Sequence, residues 1–284
     1  MIWRCGGSDR LAQDRPLIMG ILNVTPDSFS DGGRFATPAE AIDQGRLLAE
    51  EGADILDIGA ESTRPGAEPV PASEQVRRLA PVLEGLRGLT ISVDTASAEV
   101  AAYALGHGAV IVNDVTALSD PGMAGVVAAA GAGLVLMHMR GTPRTMQADP
   151  RYDDVVATVE SFLRERLAAA IAAGVPAESV AFDPGIGFGK TAGQSVALLA
   201  ATSRLAGLGR PLLVGASRKS FLGRLTGADD PRDRLEASLA AAAIATCLGA
   251  AILRVHDVAA TVRAVQVGAA VRNASAGVGT AARN

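Results

Sequence analysis

Short runs of aliphatic and β-branched residues alternate along the chain with longer, Ala-rich stretches whose apolar positions recur at helical spacing. The runs 17–23 (LIMGILN), 53–59 (ADILDIG), 90–94 (TISVD), 109–114 (AVIVND), 133–139 (GLVLMHM), 179–184 (SVAFDP), 211–217 (PLLVGAS) and 250–255 (AAILRV) read as strands. The stretches 38–51, 72–87, 96–107, 121–131, 153–173, 192–207, 231–248 and 258–271 read as helices. Strands alternating with helices imply βαβ units and a parallel sheet. Eight such units predict an α/β fold closed as a (β/α)8 TIM barrel in a single domain. An open doubly wound sheet, which usually has fewer strands, is the alternative. Residues 1–16 precede the barrel as an arm or hairpin, 17–272 form it, and 273–284 (NASAGVGTAARN) read as a disordered tail.

The polar residues gather where the strands end. Asn23, the segment 61–64 (ESTR), Asp94, Asn113 with Asp114, His138, Asp183, the segment 217–219 (SRK), and Arg254, His256 and Asp257 all follow or close a strand. Active sites of parallel α/β folds form at the carboxyl ends of the strands. Some of these groups could simply cap helices, as Asp94 could before 96–107. Caps do not call for Arg, His and Lys, so the mixture favours a site.

Two of the connections are long for βα loops. Residues 23–35 (NVTPDSFSDGGRF) are rich in turn formers and place Phe29 in a polar setting, as a mobile lid would. In residues 61–71 (ESTRPGAEPVP), Arg64 precedes Pro65 and is held extended, able to reach over the barrel mouth. Asp94 and Asn113 end adjacent strands, a carboxylate beside a carboxamide, suited to a ring bearing both amino and carbonyl groups. Residues 182–190 (FDPGIGFGK) combine Asp183 with three glycines, Phe188 and Lys190, and match neither a phosphate loop nor a dinucleotide fingerprint. In 215–223 (GASRKSFLG), Lys219 and Ser220 enter a helix and suit a carboxylate or other anion. A Schiff-base role for Lys219 is disfavoured by its place between Arg218 and Ser220. In 254–257 (RVHD), Arg254 and His256 would face Asn23 across the closing strands, where they suit phosphate; a buried salt bridge is the plainer use of Arg254. Asn23 could offer an oxygen to Mg²⁺.

Composition narrows the reading further. A formal net charge of −4 excludes general affinity for nucleic acid. Lysine occurs only at 190 and 219 among the 26 basic residues, so these two positions stand out where Arg is the default cation. The two cysteines give no disulfide framework, and the three histidines lack the spacing of a zinc hydrolase. The amino-terminal segment lacks a signal peptide's apolar core and no apolar run spans a membrane, so a cytoplasmic protein is expected.

Segments 19–33 (MGILNVTPDSFSDGG) and 57–67 (DIGAESTRPGA) resemble the two signature segments of the dihydropteroate synthase family. SVDT, VNDV, LMHMRGTPRTMQ, DPGIGFGK, ASRKSFLG and RVHDV follow in that family's order, so the resemblance covers roughly residues 17–260. Ala60 and Ala216 depart mildly from its usual residues and remove no polar group. The resemblance implies a TIM barrel, commonly a homodimer. The reaction it implies is transfer of a dihydropterin methylene from (7,8-dihydropterin-6-yl)methyl diphosphate to 4-aminobenzoate, with Mg²⁺. Asp94, Asn113, Asp183 and Lys219 would hold the pterin, and Thr63, Arg254 and His256 the diphosphate. Asn23 would hold the Mg²⁺. Arg64, Pro65, Phe188 and Ser220 would border the aminobenzoate, and Phe29 would belong to a lid. Asp94, Asp183, Lys219, Arg254 and His256 would carry the chemistry, a dissociative displacement. A corrinoid-linked pterin methyltransferase would share the pterin groups but has no use for Arg64 or the SRKS turn. A non-catalytic paralogue should have lost some of these groups, and a magnesium-dependent aldolase would need more clustered carboxylates.

Overall fold

The computed structural model describes residues 2–11, 14–25, 37–62, 67–142, 144–148 and 150–281. Strands β1 (Ile2–Cys5) and β2 (Ser8–Leu11) come first and form an antiparallel hairpin, with Ile2 opposite Leu11 and Cys5 opposite Ser8. Its turn is Gly6 and Gly7, at φ 57° and 77°, the left-handed pair that a tight primed hairpin turn requires. The amino-terminal arm is therefore a hairpin.

Eight parallel strands follow: β3 (Leu17–Asn23), β4 (Ile55–Gly59), β5 (Ile91–Asp94), β6 (Ala109–Asp114), β7 (Gly133–Met137), β8 (Val180–Asp183), β9 (Leu213–Val214) and β10 (Ile252–Val255). Their order is β8-β7-β6-β5-β4-β3-β10-β9, and a parallel bridge between Phe182 and Leu212 joins the two ends into a ring. The alternative of an open sheet is excluded by that closure. Around the ring lie α1 (Pro38–Glu50), α2 (Ala72–Gly85), α3 (Ala98–Gly106), α4 (Met123–Ala130), α5 (Val155–Ala172), α6 (Ala192–Ala200), α7 (Thr202–Ala206), α8 (Ser220–Thr226), α9 (Leu235–Cys247) and α10 (Val258–Ala281).

Capping chemistry sets where several helices start. Thr37 with Glu40 and Thr191 with Gln194 form reciprocal capping boxes for α1 and α6, while Ser97 and Asp154 cap α3 and α5. Asp94 is thus not a helix cap; Ser97 does that work and leaves the Asp94 carboxylate to the barrel mouth. The stretch read as one helix at 192–207 breaks at Ala201, where the Thr202 hydroxyl donates to the Leu199 carbonyl at 2.7 Å. Strand 211–217 contracts to two residues because the chain leaves the ladder at Gly215 to line the mouth. The last helix continues to Ala281, where a disordered tail from 273 was expected; its small residues, many of them Ala, are compatible with helix.

Alternation along the strands stacks the barrel interior in layers. Met19 pairs with both Ile55 and Arg254, Asp57 with Ile21 and Ser92, Asp94 with Asn113, and Met137 with Asp183. The lower layer is apolar: Met19, Ile55, Ile111, Val135, Ala181, Leu213 and Ile252 form one cluster, closed from below by Trp3 and Cys5 of the hairpin. Intervening residues such as Ile18, Leu22, Ile58, Val93, Val112 and Leu136 point outward and pack on the helices. The polar residues then occupy the upper layer.

Trp3 is 1% exposed and its indole N–H donates to the Ser179 carbonyl at 2.8 Å. Trp3→Ala should cost about 3–5 kcal/mol, since it removes a large buried side chain and strands that carbonyl. A urea melt checks this; a shift under about 1 kcal/mol would mean that the hairpin closes nothing.

Candidate active site

At the carboxyl end of the ring one pocket is lined by Ile21, Asp94, Asn113, Val115, Met137, Asp183, Phe188, Gly215, Ser217, Lys219, Arg254 and His256. Eight of the residues singled out in the sequence meet there: Asp94, Asn113, Asp183, Phe188, Ser217, Lys219, Arg254 and His256. They come from five different strand ends or the loops after them, which only ring closure brings together.

Arg254 forms the floor. Its Nε donates to Asp57 Oδ2 at 2.6 Å and a terminal nitrogen donates to Asp94 Oδ2 at 2.7 Å. The plainer expectation for Arg254, a buried salt bridge, is thus realised. Its register beside Met19 sets it too low in the barrel to face Asn23 as expected, so the guanidinium turns across to β4 and β5. Asn113 Nδ2 donates to the same Asp57 oxygen at 3.0 Å. Burial works against the Arg254 charge, but Asp57 and Asp94 more than offset it and hold its pKa above the ordinary value. Burial pushes Asp94 up to about 7, with the Arg254 charge pulling the other way.

The opposite wall belongs to Asp183 and Lys219. Burial raises Asp183 above the usual carboxylate range while the Lys219 ammonium opposes it, and the Gly185 N–H donates to Asp183 Oδ1 at 2.7 Å. Burial also lowers Lys219 to about 8, opposed by Asp183. The Lys219 ammonium donates to the Ile186 carbonyl and sits 4.4 Å from the centre of the Phe188 ring. A lysine so tied to a carbonyl, with the Asp183 charge nearby, is placed as a hydrogen-bond donor and not as an imine-forming amine.

His256 is oriented by Ser217, whose hydroxyl lies 3.0 Å from Nδ1 and accepts the His256 backbone N–H at 3.2 Å. Next to it, Arg218, at φ 58°, pairs with Asp257 through Nε at 2.9 Å. Ser220 is the first residue of α8, adjoining Lys219. Asn23 ends β3 with its amide oxygen 3.5 Å from where a side chain would begin at Gly59. A β-carbon at Gly59 would also sit 3.8 Å from Asp94 Cγ, so glycine keeps the space between these two oxygen-bearing groups open. A neutral amide oxygen is a suitable hard ligand for Mg²⁺, which takes few protein groups. Among the described residues no group of three or more His, Cys, Asp or Glu could hold a metal by itself.

Phe29, Thr63, Arg64 and Pro65 lie outside the described residues. The base of the second long loop is tied nonetheless: Glu61 accepts the Val70 N–H at 2.8 Å, and Gln75 Nε2 donates to the Val70 carbonyl at 2.9 Å. Sequence reasoning missed Asp57; it placed Ser217 at a strand end but not as the partner of His256. The signal for Asp57 was present, a carboxylate in the middle of the apolar strand ILDIG and in phase with inward Ile55.

One oxygen at the pocket remains for a ligand: Asn113 Oδ1 is buried with no partner in the protein, as are Asp57 Oδ1 and Ser92 Oγ behind the pocket lining. Acceptors on one side and the Lys219 donor on the other suit a flat ring that carries amino and carbonyl groups on one edge. The pterin binding enzyme family matches residues 19–256 of this chain. The dihydropteroate synthase of Escherichia coli (strain K12) is 46% identical over 255 residues, which are 89% of this chain and 90% of that one. Among solved structures, Xanthomonas albilineans dihydropteroate synthase with 4-aminobenzoic acid has a TM-score of 0.88 at 50% identity, covering 95% of this chain and 98% of that one. The same bacterium's enzyme in complex with 7,8-dihydropteroate gives 0.85 at 47% identity, covering 96% and 99%. With the ring of strand ends and the eight ordered motifs, these likenesses make the chain a member of the dihydropteroate synthase family of pterin binding enzymes.

Proposed function

We propose that the barrel mouth condenses 4-aminobenzoate with (7,8-dihydropterin-6-yl)methyl diphosphate, giving 7,8-dihydropteroate and diphosphate. The chain is a transferase, a dihydropteroate synthase. The observation that carries the reading is the convergence of Asp94, Asn113, Asp183 and Lys219 on one pocket floored by Arg254.

In this reading Asp183 and Asn113 take the amino-bearing edge of the pterin, and Lys219 donates to its carbonyl. Breaking the bond between methylene and diphosphate leaves the methylene electron-poor and conjugated to the ring. The Asp94 and Asp183 carboxylates lie where they would stabilise that cation. Arg254 keeps Asp94 ionised and aimed, and His256, oriented by Ser217, donates to the departing diphosphate. Thr63 adds a hydroxyl there. The neutral arylamine attacks from the side bordered by Arg64, Pro65, Phe188 and Ser220, with its carboxylate toward Ser220, and Phe29 closes over it. An arylamine has its lone pair free at neutral pH, so no strong general base is needed. Mg²⁺, held through Asn23, would supply further positive charge to the leaving group.

The test is calorimetry with the pterin diphosphate and Mg²⁺, followed by 4-aminobenzoate in the same sample while diphosphate release is assayed. Binding followed by release supports the synthase; binding without release would favour a pterin-binding relative, and no binding would remove the reading. Quenching should trap no pterin on a side chain.

The same proposal includes a homodimer in the cytoplasm. Exposed Ile244 of α9 and Val267 and Val271 of α10 support an apolar contact between copies. Sedimentation equilibrium should give twice the monomer mass, and Val267→Arg should return the monomer. Both cysteines are free thiols, which fits a reducing compartment. No helix among the described residues is long and apolar enough to cross a membrane.

A further inference from the structure

Lys190 is 4% exposed, lines no part of the pocket, and has no role in the reaction above. Its ammonium nevertheless has four partners. It donates to the carbonyls of Gly185 at 2.8 Å, Phe188 at 2.9 Å and His138 at 3.1 Å, and lies 3.0 Å from His138 Nδ1. Burial and the neighbouring Lys190 charge lower His138 to about 3, so its ring is neutral and Nδ1 can accept. The ring itself is packed edge-on against Phe162 at 4.9 Å.

The loop that Lys190 grips follows an unusual rule. Gly185, Gly187 and Gly189 are all left-handed, at φ 64°, 82° and 60°. Every carbonyl from 185 to 189 is taken by a side chain. Lys190 holds those of 185 and 188, Lys219 that of 186, Gln147 that of 187 at 2.9 Å, and Tyr152 that of 189 at 2.9 Å. Five carbonyls held from three separate segments fix the loop in one shape. A β-carbon at Gly185 would sit 1.9 Å from the His138 carbonyl oxygen, so the loop is seated directly on the end of β7. Two pocket groups hang from it: Asp183 through the Gly185 N–H, and the Phe188 ring beside Lys219.

The geometry points to Lys190 as a positioning residue for the known reaction, acting through the 185–189 loop to set where Phe188 stands against the bound aminobenzoate. Gln147 and Tyr152 are its lesser partners in that task. An arginine could not replace it, because its planar fork cannot converge on three carbonyls and a ring nitrogen around one point. This explains one of the two places where the chain keeps lysine against its general use of arginine. The inference rests on the proposed placement of aminobenzoate beside Phe188.

The experiment is a double-mutant cycle on the full chain, with steady-state kinetics in both substrates. Wild-type turnover, measured first, checks the reading of the site independently. Lys190→Met, which keeps the stem and removes the donors, should raise the KM for 4-aminobenzoate about tenfold, as a small displacement of a contact surface does. In a Phe188→Ala background the same change should move that KM less than about twofold, because the group it positions is gone. Gln147→Ala and Tyr152→Phe remove one carbonyl partner each. They should repeat the pattern at about threefold, and they carry the test if Lys190→Met does not fold. Equal effects in both backgrounds, or a lower melting temperature with every KM unchanged, would reduce Lys190 to a structural staple and overturn the inference.

Discussion

Arg254→Met is expected to abolish turnover and to lower stability by about 3–5 kcal/mol, the cost of leaving a buried charge without its partner. The side chain holds two carboxylates at once, and both are buried: Asp57 is 0% exposed and Asp94 8%, at the pocket wall. Methionine fills the same volume, so the loss would be electrostatic and not a cavity. The pH dependence has a definite sign. Without Arg254 nothing cationic offsets the burial of Asp94, so its folded-state pKa climbs further above the unfolded value. Between those two values the folded protein binds more protons than the unfolded chain, and stability falls as pH rises. The variant should therefore recover part of its loss at pH 5. Urea melts at pH 5 and pH 8 decide it; equal midpoints would mean that Asp94 does not feel Arg254. Arg254→Lys should restore much of the stability and little of the rate, since an ammonium cannot bridge both carboxylates with the same fork.

The second large effect is a narrow pH optimum. Asp94 must be ionised to stabilise the cationic methylene, and burial has pushed it up to about 7, so kcat/KM should rise through that value. Lys219 must be protonated to donate to the pterin, and burial has lowered it to about 8, so kcat/KM should fall above that value. The free enzyme should thus work best between the two. Lys219→Ala should weaken pterin binding by roughly 10- to 100-fold, the worth of a charge-assisted hydrogen bond, and should flatten the alkaline limb. The pH dependence of binding of a dihydropterin that lacks diphosphate separates the ionisations of the enzyme from those of the phosphate. Unchanged affinity in Lys219→Ala would take the lysine out of the site.

Most of the barrel was legible because a parallel strand buried on both faces advertises itself as a continuous apolar run, as in AVIVND and GLVLM. What failed was local. β9 is two residues long, and nothing in PLLVGAS shows that Gly215 will turn away to make a wall. The site was legible where a polar residue ends a strand, as with Asp94, Asn113 and Asp183. It was illegible where a residue works through space: Asp57 pairs with Arg254 across 197 positions, and Lys190 finds His138 across 52. Such pairs are written in the register of the closed ring, which no local window contains.

The hairpin at the base of the barrel has a consequence for how the chain assembles. Trp3 bonds to a carbonyl 176 residues further on, and its ring rests on residues drawn from strands as late as Ile252. As the chain leaves the ribosome, its first ten residues find only part of their seat in β6, β7 and the Gly131 carbonyl; the Ser179 carbonyl comes just before β8, and the floor is complete only with β10. Contacts so distant in sequence pay their loop-closure entropy late, so docking of the hairpin belongs at the end of folding. Trp3 is also the sole tryptophan, which makes its fluorescence a clock for that last event and for no other.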